Sequence, residues 1–181
     1  MTSGRVIHNL ALVGFMGAGK SSVGQLVAVQ LHFRFADTDE LIEARTGRTI
    51  SSLFAEEGEG QFREYERAVV EDLKKFHRTV IATGGGLVTQ EENLNSLKEH
   101  ALVVCLWASA ETIWERVRSQ THRPLLQTPD PPARIRQLLL EREPYYRRAD
   151  VLVNTELRSV KEVVHHVIHQ FRLARGNPTH P

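Results

Sequence analysis

The eight residues from Gly14 to Ser21, Gly-Phe-Met-Gly-Ala-Gly-Lys-Ser, place glycines, a lysine and a hydroxyl at the spacing G-x-x-x-x-G-K-[ST]. Glycines let successive backbone N–H groups converge on phosphate oxygens, the lysine reaches the outer phosphates, and the hydroxyl can ligate Mg²⁺. Gly14, Gly17, Ala18, Gly19, Lys20, Ser21 and Ser22 are therefore candidates for holding a nucleotide's phosphates. Asp37 and Asp39 stand two apart in "DTDE". One carboxylate could hold a magnesium hydration shell while the other takes a proton from an attacking hydroxyl. Equally, either could simply cap a helix expected to start at Glu40. Gly84, Gly85 and Gly86 in "TGGG" leave the backbone bare, which favours close approach of a ligand over a simple turn, because three glycines cost entropy on folding. Arg63, Arg123 and the pair Arg147 and Arg148 offer planar guanidinium groups suited to carboxylate or phosphate. Taken singly, each could be a surface residue.

These residues need a scaffold that brings them to one edge. "NLALVG", "FRFAD", "TVIATGG", "ALVVCLW" and "DVLVN" read as five short strands, bounded by turn or polar residues. Helical patterns fall between them, most clearly where Val160, Val163, Val164, Val167, Ile168 and Phe171 form one stripe. Alternating strands and helices predict an α/β fold with a mainly parallel sheet covered on both faces. The glycine loop then leaves the first strand and opens the first helix, while "DTD" and "TGGG" leave the second and third strands. Ligands bind beyond those carboxyl ends. A single domain over 1–181 is expected, with three additions. A helical insertion at about 38–77 exceeds one crossover helix, a Pro/Thr/Gln-rich lid occupies about 119–133, and a disordered tail covers about 175–181.

Composition narrows the partners. Lys plus Arg number 23 against 22 for Asp plus Glu, so a net charge of +1 gives no general reason to bind nucleic acid or a membrane surface. The single cysteine, Cys105, excludes an intrachain disulfide framework and reads as core packing. No apolar stretch approaches the about 18 residues that span a bilayer, and the opening "MTSGRVIHNL" lacks a secretory apolar region. A cytoplasmic location is expected.

The ordered set "GFMGAGKSS", "DTD", "TGR", "FR..E", "TGGG", "RPLL" and "YYRRAD" resembles the shikimate kinases over nearly the whole chain. The resemblance implies a three-layer P-loop kinase fold of the nucleoside-monophosphate-kinase type, with a five-stranded parallel sheet, a substrate-binding helical subdomain and a lid. It implies ATP-dependent phosphorylation of the shikimate 3-hydroxyl with Mg²⁺, by a monomer whose partner is this small molecule. Asp39 would be the base, Asp37 with Ser21 would hold magnesium, and Lys20 and Arg123 would meet the transferred phosphate. Arg63, Arg147 and the backbone of Gly84, Gly85 and Gly86 would bind shikimate, Phe54 and Phe62 would wall its ring, and Arg116 would lie against adenine. Glu66, three residues after Arg63, could fix that guanidinium or be an ordinary solvated charge. A gluconate-type kinase or a nucleotide-sensing module without turnover are the other readings.

Overall fold

The computed structural model describes residues 5–119 and 128–176. Arg123 and most of the segment expected to form a lid lie outside the described residues, as do positions 177–181 of the expected tail.

Five strands, β1 (Asn9–Val13), β2 (Arg34–Asp37), β3 (Thr79–Ala82), β4 (Ala101–Trp107) and β5 (Val151–Asn154), pair in the order β2-β3-β1-β4-β5, all parallel. The inner strands read as unbroken apolar runs because helices cover both their faces: every residue of β1 and β3 is buried. The edge strands are more mixed, with Arg34 exposed on β2 and Leu152 on β5. Strand β1 lies between β3 and β4, while β2 is reached by crossing over β3's position. The crevice at the carboxyl ends of β1, β2 and β3 is thus the place where connections diverge. Among the described residues seven α-helices flank the sheet: α1 (Lys20–Leu31), α2 (Thr38–Thr46), α3 (Ile50–Leu73), α4 (Glu91–His100), α5 (Ala110–Val117), α6 (Pro131–Tyr146) and α7 (Val160–Ala174).

Local rules set the helix ends. Asp37 caps α2, accepting from the Asp39 backbone N–H at 3.0 Å, so α2 begins two residues earlier than the sequence suggests and Asp39 lies inside its first turn. Gly47, in the left-handed region at φ 69°, ends that helix. Between β2 and β3 the chain forms α2 and α3, and Gly58 at φ 77° bends the latter. Ser159 and Glu162 form a capping box on α7, whose Val163, Val164, Val167, Ile168 and Phe171 are buried as the periodicity predicts. Val160 departs from that stripe: it sits in the first turn and is half exposed. Cys105 is buried in β4, and burial pushes its thiol up to about 12, as suits a packing residue. No helix among the described residues is long and apolar enough to cross a membrane.

Candidate active site

A cavity of about 960 Å³ opens at the carboxyl ends of β1, β2 and β3. Its donor end is the loop from β1 to α1. Gly14 (φ 132°) and Gly17 (φ 74°) take conformations that side-chained residues avoid. A β-carbon at Gly14 would also stand 2.1 Å from the Leu106 carbonyl oxygen, and one at Gly17 would stand 2.6 Å from Val117 Cγ1. The loop is thus pressed onto β4 and α5. Helix α1 starts after Gly19, which has no side chain to cap it, so its first N–H groups and partial positive charge face the cavity. Lys20 is buried and donates to the carbonyl oxygens of Gly14 (2.8 Å) and Phe15 (2.9 Å), which curls its ammonium over the loop. At the far side Arg116 lines the cavity and donates to Thr155 Oγ1 (3.0 Å) and to the carbonyl oxygens of Thr155 (2.9 Å) and Gly17 (3.3 Å). Arg158 lines the same end, and nothing in its sequence neighbourhood marks it.

The two aspartates separate in role. Asp37 Oδ2 accepts from Ser21 Oγ at 2.9 Å while Oδ1 caps α2, so the cap the sequence allowed is made and the other oxygen stays beside the Ser21 hydroxyl. Hydroxyl and carboxylate oxygens beside a phosphate loop are the hard donors that Mg²⁺ prefers, with water and phosphate completing its shell, so this pair fits that ion. Asp39 instead turns to the third strand's glycine loop. A β-carbon at Gly84 would lie 2.7 Å from Asp39 Oδ1 and 3.1 Å from Glu66 Oε1. Only glycine lets two carboxylates approach there.

Behind Asp39 lies a buried charge cluster. Arg63, on α3, donates from Nη1 to Glu66 Oε2 (2.6 Å) and from Nη2 to Glu59 (2.5 Å), and its guanidinium packs against Gly86. Burial depresses the Arg63 pKa, but Glu66 and Glu59 more than offset it, so the net shift is upward. Glu66 is fully buried. Burial drives its carboxyl up to about 7 against the pull of Arg63, with nearby Asp39 adding to the rise and Arg142 opposing it. Glu66 is therefore no solvated surface charge; it holds Arg63 in one rotamer. The rings of Phe54 and Phe62 meet at 4.5 Å between centroids, with the Arg63 guanidinium carbon 5.9 Å from the Phe62 centroid, and they flank the cluster rather than line the cavity.

One expected residue is not brought to this place. Arg147 is the C-cap of α6, its side chain 68% exposed and paired with Glu143. Arg142 stands there instead. It is buried, donates from Nη1 to the Gly85 carbonyl oxygen at 3.2 Å, and lies 5.5 Å from the centroid of the Phe15 ring. The reason is helical phase. Ile135, Leu138, Arg142 and Tyr146 are the buried stripe of α6, at spacings of three and four residues. A residue five positions after Arg142 is turned about 140° away from it. The sequence signal was that stripe, hidden because its last members are an arginine and a tyrosine.

A glycine-rich loop of the phosphate-binding type facing an acidic side chain across one cavity, with the arginines Arg63 and Arg142 packed behind its glycine edge, defines a P-loop kinase acting on a small anionic acceptor. The shikimate kinase family model matches residues 16–172. A shikimate kinase of Thermodesulfovibrio yellowstonii is 45% identical over 171 residues, covering 94% of this chain and 99% of the relative. One of Burkholderia lata is 45% identical over 167 residues, covering 92% and 91%. The solved shikimate kinase of Acinetobacter baumannii, in complex with shikimate, superposes with a TM-score of 0.89 at 37% identity, covering 96% of this chain and 97% of that one. The chain belongs to the shikimate kinase family. A gluconokinase of Sinorhizobium meliloti shares the fold at a TM-score of 0.59 and 20% identity, and the gluconate reading is not favoured.

Proposed function

We propose that the chain transfers the γ-phosphoryl group of ATP to the 3-hydroxyl of shikimate, acting as a monomer in the cytoplasm. The observation that carries this reading is the continuity of one cavity from Lys20 and Ser21 to Asp39 and Gly85, which leaves room for phosphate donor and acceptor in a single space. The backbone from Gly14 to Ser22 cradles the β- and γ-phosphates, and Lys20 swings from its carbonyl partners onto them. Ser21 and Asp37 would hold Mg²⁺, which when bound neutralises phosphate charge. Asp39 accepts the hydroxyl proton as the new P–O bond forms and the bond to the ADP oxygen breaks. Arg63 and Arg142 fork onto the acceptor carboxylate, aimed by Glu66 and Gly85, while the Phe62 and Phe54 rings pack behind Arg63. Arg116 lies at the adenine end, and Arg123 serves the transferred phosphoryl group. A coupled ADP-release assay with shikimate, quinate and gluconate tests this. Turnover with shikimate is expected; turnover with gluconate alone would overturn the acceptor assignment.

A further inference from the structure

Tyr146 carries none of these roles, yet its placement is specific. Its hydroxyl donates to the Gly85 carbonyl oxygen at 2.5 Å, the same oxygen that takes Arg142 Nη1 at 3.2 Å. Burial holds the phenol far above its ordinary value, so it is a fixed donor across the working pH range. A β-carbon at Gly85 would stand 3.2 Å from the Met16 backbone nitrogen and 3.7 Å from both the Gly14 carbonyl oxygen and Arg142 Nη1. Gly85 is thus wedged between α6 and the phosphate loop. The neighbouring peptides are held by other partners: Gly84 N–H donates to Thr38 Oγ1 at 2.8 Å, the Gly84 carbonyl accepts from Leu87 N–H at 3.2 Å, and the Gly86 carbonyl accepts from Thr89 Oγ1 at 2.7 Å. Three consecutive glycines otherwise leave the middle peptide free to turn. Because a peptide is planar, fixing the Gly85 carbonyl also fixes the direction of the Gly86 N–H.

We propose that Tyr146 is a positioning residue for the acceptor: its hydroxyl sets the Gly85–Gly86 peptide plane and the seat of Arg142 without touching either substrate. This rests on the acceptor site proposed above. Spaced four residues apart on α6, Arg142 and Tyr146 lock onto one oxygen from one helix face, so losing the phenol leaves that oxygen to the longer, guanidinium bond alone.

The test is Tyr146→Phe in the full chain, which keeps the ring and its packing. Loss of one neutral hydrogen bond predicts a rise in the KM for shikimate of roughly three- to tenfold. The KM for ATP and kcat should stay near wild type and Tm should fall by no more than about 2–4 °C, a split that a general loss of packing would not produce. Incorporating 3-fluorotyrosine at 146 retains the donor and should restore the acceptor KM. The backbone amide resonances of Gly85 and Gly86 report on the clamp whatever acceptor the enzyme uses: they should shift in Tyr146→Phe while that of Gly47 stays. Unmoved glycine resonances, or an equal loss in kcat and in both KM values, overturn the proposal. A wild-type enzyme that ignores shikimate, with the glycine resonances still shifted in Tyr146→Phe, overturns the acceptor assignment and leaves the clamp standing.

Discussion

Arg142→Ala and Arg147→Ala should part company sharply, and their difference can be worked from the two environments. Arg147 is a surface member of an i, i+4 pair with Glu143, a geometry worth about 0.3–0.5 kcal/mol to the helix. Its removal should change shikimate affinity by less than about twofold, since so small an exposed pair leaves nothing buried unpaired. Arg142 is buried at the glycine loop, and a charge-assisted bond from it to a carboxylate contributes about 1.5–3 kcal/mol. At about 1.4 kcal/mol per decade, that is roughly a tenfold to 150-fold loss of affinity. Because Arg142 also touches Gly85 and Phe15, part of any loss could come from a disturbed loop. The shikimate amide, which replaces the carboxylate with a neutral group, separates the two. Isothermal titration of wild type, Arg63→Ala, Arg142→Ala and Arg147→Ala with acid and amide closes a double-perturbation cycle. The amide penalty should persist in Arg147→Ala and shrink in the other two. If it persists undiminished in Arg142→Ala and vanishes in Arg147→Ala, the helical-phase reasoning is wrong and the carboxylate is bound at the C-terminus of α6.

Asp39→Asn keeps the side chain's shape but removes the proton acceptor, so kcat should fall by about 10²–10⁴-fold with acceptor affinity less affected; initial rates within a few-fold of wild type would make Asp39 purely structural. Glu66→Gln should alter the pH dependence of stability. Burial raises the folded carboxyl to about 7 from 4.5, so the native state binds this proton more tightly, and the group's contribution is fully present below about pH 4.5 and lost as pH rises through 7. Wild type minus Glu66→Gln, from urea melts at pH 5 and pH 8, should therefore shrink by up to about 3 kcal/mol, and a constant gap would mean Glu66 is ionised throughout. Gly14→Ala puts a β-carbon 2.1 Å from the Leu106 carbonyl at a φ of 132°. It should cost at least about 2 kcal/mol in thermal unfolding, and a wild-type Tm would show that the loop does not pack on β4 as described.

What the sequence made legible was whatever depends on short-range pattern. The five strands, the glycine loop and the α7 stripe follow from runs of apolar residues and from spacing that local geometry alone enforces. The sheet order does not, since it depends on which crossovers pass over which strands. Val160 shows the limit of periodicity, because a position in a helix's first turn can sit on the apolar stripe and still open onto a cavity. Asp37 shows that a capping role leaves a carboxylate half free for other work: one oxygen holds the α2 backbone while the other takes the Ser21 hydroxyl. Arg142 was illegible for a different reason. Arginines are normally exposed, so a motif ending "YYRRAD" draws attention to the visible pair and away from the guanidinium one turn earlier, whose burial depends on Gly85 and Glu66 from distant parts of the chain.

That dependence explains why the cluster holds together at all. A buried arginine beside a half-buried one, without counter-charge, would be expelled or would unfold its surroundings. Glu66 answers one of those charges through a direct ion pair with Arg63 and a longer-range attraction to Arg142, while Gly85 supplies a carbonyl dipole to the second. A carboxylate in that position is itself poorly hydrated and close to Asp39, which is why its proton affinity rises instead of falling beside two cations. The compensation is uneven: Glu66 and, at the rim, Glu59 both pair with Arg63, whereas Arg142 has the Gly85 carbonyl dipole and the longer-range pull of a carboxyl that ionises near neutral pH. On the acceptor assignment proposed here, that weaker compensation at Arg142 is what a further carboxylate, arriving on the substrate, completes. A neutral polyol would find the same hydrogen-bond donors but leave the charge uncompensated, so the cluster selects an acid before any hydroxyl is read.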